Sequence, residues 1–156
     1  MVPGQTTLTF PTEADTARFA ARLGRLLHNG DTLLLEGPIG AGKSAFARAL
    51  IRSLAGAEIE VPSPTFTLVQ TYELPQGEVW HCDLYRLSQV DEVLELGLED
   101  AFSAAICLIE WPDRLGDAAP PSALRLTFAA RDDHHAITFA EPPAWRDRLK
   151  DLSREA

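Results

Sequence analysis

The chain has 156 residues, a length typical of one domain, and we expect residues 1–156 to form a single domain. With 46% hydrophobic and 24% charged residues, its composition argues against disordered, collagen-like and disulfide-rich proteins. Asp and Glu outnumber Lys and Arg by 23 to 14, which gives a net charge of −9. Because phosphate backbones repel an acidic surface, this charge disfavours a protein that binds nucleic acid directly.

The chain also carries indications of its compartment. Its two cysteines, Cys82 and Cys107, lie in apolar runs without metal-ligand spacing, which indicates buried, reduced thiols. Residues 1–10 lack a basic start and a long apolar stretch, so no signal peptide is predicted. No apolar run approaches the ~20 residues of a membrane span. We therefore expect a cytoplasmic protein without membrane contact.

Strands and helices alternate in the first third of the chain. Residues 6–10 are strand-like, a capping-box pattern at Thr12 starts a helix, and Asn29-Gly30 ends it. The apolar run 32–35 is typical of a strand buried on both faces. After a glycine-rich loop, residues 43–55 repeat apolar positions at helical spacing, which predicts a second helix.

The rest of the chain predicts a hairpin followed by short helices and strands. Residues 65–74 and 78–84 are strand-like on either side of a turn at 75–77, which is a hairpin signal. The later predicted elements are a helix at 91–98, a buried strand at 104–109, a loop at 116–122, a strand pair at 124–129 and 136–140, and a closing helix at 143–153. Together these elements predict a three-layer α/β domain with a mixed parallel and antiparallel sheet.

The segment from Gly37 to Ser44 reads Gly-Pro-Ile-Gly-Ala-Gly-Lys-Ser and matches the phosphate-loop pattern G-x-x-x-x-G-K-[ST] in full. A predicted strand precedes it and a predicted helix follows, so we expect a P-loop NTPase fold. Backbone N–H groups and a helix N-terminus bind phosphates in such loops, Lys43 is expected to reach the β and γ phosphates, and the Ser44 hydroxyl is expected to ligate Mg²⁺. The expected nucleotide-binding residues of this loop are Gly40, Ala41, Gly42, Lys43, Ser44 and Ala45.

Two acidic residues end predicted strands where they could serve a bound metal. Glu110 follows the apolar run 106–109, which is the Walker B layout, and Asp83 ends the run 79–82. Strand alternation places His81 on the same face as Asp83. One acid is expected to hold Mg²⁺ and the other to orient the attacking water, and the spacing leaves their assignment open. Neither lysine of the chain follows an asparagine, so the Asn-Lys-x-Asp segment of GTPases is missing and ATP is favoured over GTP.

Four separate blocks of the sequence occur in the order found in one known family. They are Gly37–Phe46, Ser63–Val69 (Ser-Pro-Thr-Phe-Thr-Leu-Val), His81–Leu87 (His-x-Asp-Leu-Tyr-Arg-Leu) and Ile109–Trp111. Over about residues 12–111 the chain thus resembles the TsaE (YjeE) ATPases. Those proteins assist threonylcarbamoylation of adenosine 37 in tRNAs that read codons beginning with A. Residues 112–156 match the family more weakly.

The resemblance implies roles for residues around the phosphates. Ser44 and Glu110 would hold Mg²⁺, and Asp83 would be the Walker-B-like or catalytic acid. Thr65 would belong to a switch-like loop beside the γ phosphate. Together with Lys43, Asp83, Glu110 and Thr65 would then form the catalytic set for ATP hydrolysis.

The resemblance also implies contacts farther from the γ phosphate. Thr12 would contact the nucleotide from the N-terminal segment, and Arg131 or His134 would do so from the last hairpin. The implied partners are the TsaD and TsaB proteins, whose complex carries out the threonylcarbamoyl transfer. In that arrangement tRNA would be reached only indirectly.

Several features allow more than one interpretation. Arg86 could stabilise charge near the phosphates or pair with an acid, Trp111 could line the nucleotide or belong to the core, and the acidic run 91–100 could be a solvated helix face or a dock for a basic partner. A small-molecule kinase is a second possible function, although kinases usually carry an arginine-bearing lid and the comparable stretch 114–131 is short. A nucleotide-gated interaction module with incidental hydrolysis is a third.

Overall fold

The structure is a computed structural model, and it describes residues 5–62, 64, 68–87, 92, 95, 97–140 and 142–150. Its strands are β1 (Gln5–Phe10), β2 (Thr32–Glu36), β3 (Val69–Leu74), β4 (Gly77–Asp83), β5 (Ile106–Glu110), β6 (Leu124–Ala130) and β7 (His135–Ala140). Its helices are α1 (Glu13–Gly24), α2 (Lys43–Ala55), α3 (Leu98–Ala104) and α4 (Pro143–Arg146), with a 3-10 segment at Pro112–Ala118.

The described strands form one mixed sheet in the order β1-β7-β6-β2-β5-β4-β3. Strand β2 pairs in parallel with β5 and β6, and β4 pairs in parallel with β5, whereas the β1–β7, β6–β7 and β3–β4 pairs are antiparallel. The register places both Leu35 and Asp83 opposite Glu110. The carboxyl ends of β2, β4 and β5 therefore meet at one edge of the sheet, where open α/β folds bind their ligands.

Apolar clusters cover both faces of this sheet. Leu33 and Leu35 of β2 point into a cluster with α1 and α2, and Leu34 points into a second cluster with α3 and the 3-10 segment. In the first cluster the ring of Phe19 lies 6.1 Å from that of Phe46, centroid to centroid. Burial on both faces explains why β2 is a continuous apolar run. The predicted three-layer α/β fold with a mixed sheet is confirmed.

Helix α1 begins as predicted but ends earlier. The N–H of Asp15 donates to Oγ1 of Thr12 at 3.1 Å and the N–H of Thr12 donates to Oδ2 of Asp15 at 3.1 Å, which completes the capping box. The helix stops at Gly24 instead of continuing to Asn29. A side chain from the distant β3–β4 turn, Gln76, donates from Nε2 to the carbonyl oxygen of Gly24 at 3.0 Å. This contact satisfies a backbone group that helix termination leaves without an intrahelical partner.

Other boundaries also differ from the predictions. The helix predicted at 91–98 lies largely outside the described residues, and α3 instead begins at Leu98, after Gly97 with a φ of 82°. Strand β3 begins at Val69, and residues 65–67 of its predicted range lie outside the described residues. The closing helix is shorter than predicted, since α4 spans Pro143–Arg146 and residues 151–153 fall outside the described chain. None of the described helices is long and apolar enough to cross a membrane.

Candidate nucleotide site

The loop between β2 and α2 has the backbone shape that a phosphate cradle requires. Gly37 has a φ of 139°, and a Cβ added there would lie 2.4 Å from the carbonyl oxygen of Phe128 in β6, so only glycine fits. Gly42 has a φ of 101° and precedes α2 directly. The N–H of Phe46 donates to the carbonyl of Gly42 at 2.9 Å. The N–H groups of the first three residues of α2 precede this bond and remain available to an anion.

Lys43 is a buried cation at this loop. It is 5% exposed, its Nζ donates to the carbonyl oxygen of Gly37, and the same Nζ lies 3.5 Å from the ring centroid of Trp111. Burial lowers the pKa of Lys43, and the nearby carboxylates of Glu110 and Asp83 oppose that shift. A desolvated ammonium beside the phosphate-loop backbone is a group that a bound anion would stabilise.

Glu110 joins the start of α2 to the sheet through both of its carboxylate oxygens. The Ser44 hydroxyl donates to Oε1 at 2.9 Å across 66 residues of sequence, and Oε2 lies 2.7 Å from Nε2 of His81. Glu110 is 2% exposed and His81 is 1% exposed. Because a carboxylate can only accept, Nε2 of His81 carries the hydrogen. The structure thus brings together the hydroxyl and the carboxylate that the family resemblance assigned to Mg²⁺.

These donors fit a magnesium ion that is bound together with phosphates. Mg²⁺ takes hard oxygen ligands in octahedral geometry, usually one or two from protein side chains and the others from water and phosphate groups. Within the described residues, no group of three or more His, Cys, Asp or Glu could hold a metal by itself. Ser44 and Glu110 would therefore supply only part of the coordination, beside a loop shaped for phosphate.

Asp83 lies at the end of β4, next to Glu110 across the parallel β4–β5 pair. Its Oδ1 accepts from the N–H of Tyr85 at 3.0 Å, and it is 7% exposed. Both acids line a cavity of about 780 Å³ together with Lys43 and Ser44. This volume is in the usual range for small-molecule sites, so the cavity can hold a nucleotide.

The first turns of α1 and His135 at the start of β7 also line the cavity. A Cβ at Gly42 would lie 3.7 Å from Nδ1 of His135, so this imidazole borders the phosphate loop. The N–H of Arg131 donates to the carbonyl of His134 at 2.8 Å in the β6–β7 turn. Neither Arg131 nor His134 belongs to the lining that the described residues form. The hairpin residue that the structure places at the cavity is therefore His135.

The remaining predicted residues occupy different places around the cavity. Gly40 and Ala45 line it, and Ala41 is 1% exposed and belongs to the apolar cluster under the loop's own helix, α2. Thr12 caps α1, and the residue after it belongs to the cavity wall. Thr65 lies outside the described residues.

Arg86 and Trp111, for which the sequence allowed two roles each, also line the cavity, together with Tyr85. The sequence placed Arg86 either near the phosphates or beside an acid. The rings of Tyr85 and Trp111 lie 4.9 Å apart, and Trp111 is half-buried, so it belongs to the edge of the core and to the cavity wall at once. Trp111 follows Glu110 with a left-handed φ of 60°, an unusual conformation for a bulky residue.

Residues 10–137 match the family model described as Threonylcarbamoyl adenosine biosynthesis protein TsaE. This range contains the phosphate loop, Asp83, Glu110 and the start of the last hairpin. The chain belongs to the TsaE family. The predicted resemblance is confirmed, and the match extends beyond residue 111, where the sequence pattern alone had weakened. The family description assigns TsaE proteins to threonylcarbamoyladenosine biosynthesis.

Individual relatives agree with the family match. A protein of Rickettsia bellii named tRNA threonylcarbamoyladenosine biosynthesis protein TsaE is 38% identical over 133 residues, which cover 85% of this chain and 91% of that protein. A Bacillus subtilis protein of the same name is 38% identical over 112 residues, covering 70% and 69% of the two chains. The crystal structure of Bacillus subtilis YdiB superposes with a TM-score of 0.75 at 27% identity, covering 97% of this chain and 95% of that one.

Proposed function

We propose that this chain is a Mg²⁺-dependent ATPase that assists the TsaB–TsaD pair in threonylcarbamoylation of adenosine 37, in tRNAs that read codons beginning with A. The observation that carries the proposal is the meeting of Lys43, Ser44 and Glu110 at the phosphate loop. Family membership supports the pathway, and the cavity geometry supports the nucleotide. We also propose that the protein acts in the cytoplasm, where tRNA is modified.

The residues around the loop would divide the work of ATP hydrolysis. Bound Mg²⁺ would supply charge neutralisation between the β and γ phosphates. Lys43 would exchange the carbonyl of Gly37 for a phosphate oxygen, a better partner for a buried ammonium. Ser44 and Glu110 would face the cation, and Asp83 at the neighbouring strand end would orient the attacking water or accept its proton.

The base and ribose are proposed to lie beside the first turns of α1 and His135, which line the cavity. In the sheet, β7, which carries His135, lies on the other side of β2 from β4, which carries Asp83. We propose that His135 supplies the hairpin contact that the sequence assigned to Arg131 or His134. The missing Asn-Lys-x-Asp segment supports adenine over guanine as the base.

The partner proposal is supported by the surface at the rim of the cavity. Ile39 is 74% exposed and Tyr85 is 45% exposed, and both line the cavity. A second protein docked over the cavity would bury these two side chains. Since the net charge is −9, a protein partner is favoured over direct tRNA contact.

The proposal is tested by following the γ phosphate of labelled ATP. The full chain is incubated with ATP and Mg²⁺, alone, with the TsaB–TsaD pair of the same organism, or with candidate small acceptors. We expect slow release of inorganic phosphate that rises with the pair, and loss of release in Lys43→Ala. Lys150→Ala, which changes the other lysine of the chain, is the matched control and should behave as wild type.

The same assay separates the alternatives. Label on a small acceptor would indicate a kinase and contradict the accessory role. An ATP-dependent complex with the pair but no phosphate release would indicate a nucleotide-gated interaction module. Equal release with and without the pair, together with no complex in either nucleotide state, would refute the partnership.

A further inference from the structure

His81 is a buried histidine whose polar contact with the described residues is directed at Glu110. The side chain is 1% exposed, and its Nε2–H donates to Oε2 of Glu110 at 2.7 Å. Its other ring nitrogen, Nδ1, is buried and has no hydrogen-bond partner among the described residues. A buried polar atom without a partner destabilises a fold, so packing alone would be served better by an apolar side chain of similar size.

The position of His81 in the sheet explains what it can do for the site. It lies two residues before Asp83 on β4, and strand alternation places it on the same face. Glu110 ends the neighbouring strand, and its carboxylate reaches in two directions, to Ser44 of α2 through Oε1 and to His81 through Oε2. The histidine thus holds the oxygen of Glu110 that does not face the phosphate loop.

We infer that His81 is a positioning residue of the proposed nucleotide site, which fixes the Glu110 carboxylate so that Oε1 faces Ser44 and the Mg²⁺ of a bound nucleotide. The inference rests on the proposed function. Without the imidazole, Oε2 would be buried without a donor and the carboxylate would be free to turn away from Ser44. Loss of such an outer hydrogen bond to a metal ligand typically weakens metal binding by about 10–100-fold.

The test compares His81→Leu, which removes the donor, with His81→Gln, whose amide can still donate to Glu110. The matched control is Val79→Ala on the same strand face, where a fully buried apolar side chain is truncated. Calorimetry measures the affinity for a non-hydrolysable ATP analogue with and without Mg²⁺, and the ratio of the two affinities reports metal binding. Urea unfolding of each variant reports stability separately.

We expect His81→Leu to reduce the Mg²⁺ ratio by about 10–100-fold while the metal-free affinity stays near that of wild type. His81→Gln should keep most of the ratio, and Val79→Ala should keep all of it despite its lower stability. A wild-type ratio in His81→Leu would overturn the inference. So would an equal loss in His81→Leu and His81→Gln, or a comparable loss in Val79→Ala.

Two further outcomes have definite meanings. If the wild-type chain does not bind the analogue, the proposed function fails and the inference fails with it. If the wild-type chain binds the analogue in a Mg²⁺-dependent way and His81→Leu binds it equally well, only the inference is refuted. If His81→Leu does not fold, His81→Asn replaces it, because its amide is one carbon shorter and falls short of Glu110. In that case equal Mg²⁺ ratios for His81→Asn and His81→Gln would overturn the inference.

Discussion

Replacing Lys43 with methionine should separate nucleotide binding from folding. Without nucleotide, the Nζ of Lys43 is buried against the Gly37 carbonyl and the Trp111 ring, and burial lowers its pKa from the ordinary lysine value of 10.5. A cation with a lowered folded-state pKa costs stability at neutral pH, and this cost shrinks as the pH rises from the lowered pKa towards 10.5 and is gone above it. We therefore expect Lys43→Met, which keeps the apolar stem, to be at least as stable as wild type when no nucleotide is bound.

With nucleotide the order should reverse. A hydrogen bond to a charged group contributes about 1.5–3 kcal/mol, so its loss weakens ATP binding by about 10–150-fold. At a Mg²⁺–ATP concentration of about 100 times the wild-type Kd, ligand binding stabilises the wild-type fold by about 2.7 kcal/mol. At the same concentration the variant should gain only about 0.3–1.4 kcal/mol.

Thermal and urea unfolding, each with and without Mg²⁺ and a non-hydrolysable ATP analogue, measure both effects. Lys150→Met is the control, since it removes the exposed lysine outside the cavity lining. Equal ligand stabilisation in wild type and Lys43→Met would refute the assignment of Lys43 to the phosphates. A strong loss of stability in the ligand-free variant would refute the claim that its buried charge is unfavourable.

Three other changes probe the site and the scaffold. Asp83→Asn should lower turnover by about 10²-fold while calorimetry shows unchanged ATP affinity, and a wild-type rate would remove Asp83 from the catalytic set. Asp31→Ala should lower the unfolding free energy measured in urea by about 3 kcal/mol, because Asp31 is 8% exposed and its removal leaves Arg148 without this ion pair. An unchanged unfolding free energy would contradict a stabilising role for the Asp31–Arg148 pair. Burial raises the pKa of Cys82, and it raises the pKa of Cys107 to about 12. A thiol reagent at pH 8 should therefore modify both cysteines only in denaturant, and rapid labelling of the folded chain would contradict their burial.

The sequence predicted the part of the site that depends on short motifs and strand ends. Gly37–Ser44 carries its own backbone and side-chain requirements, so its position before a helix could be predicted locally. Glu110 could be placed near Ser44 from a distance of 66 residues because parallel strands bring their carboxyl ends to one edge. The same argument placed Asp83 beside Glu110.

The rest depended on contacts between distant segments. In the sequence, His81 alternates with Asp83 and begins one of the four family blocks, but nothing in its local sequence showed that the ring would meet Glu110. The choice of His135 over His134 is set by the pairing register of β6 and β7, in which Ala130 lies opposite His135. Adjacent residues of a strand point to opposite faces, so an error of one residue in the assumed register assigns the wrong side chain to the cavity.

Helix boundaries were missed for a similar reason. Helix α1 ends at Gly24, whose carbonyl oxygen accepts a hydrogen bond from Nε2 of Gln76. A hairpin turn that arrives from 52 residues away cannot be read from the local helix pattern. Helix α3 begins after Gly97, whose left-handed backbone with a φ of 82° lies within the acidic run 91–100.

We propose that this chain supports tRNA modification through a nucleotide site that depends on Glu110. The most direct measurement is the threonylcarbamoyladenosine content of tRNA, by mass spectrometry, in bacteria depleted of their own TsaE and supplied with this chain and the TsaB–TsaD pair of its own organism. We predict that wild type restores the modification and that Glu110→Gln, accumulated to the same level, does not. Restoration by both chains would contradict the role of Glu110, and restoration by neither would contradict the proposed function.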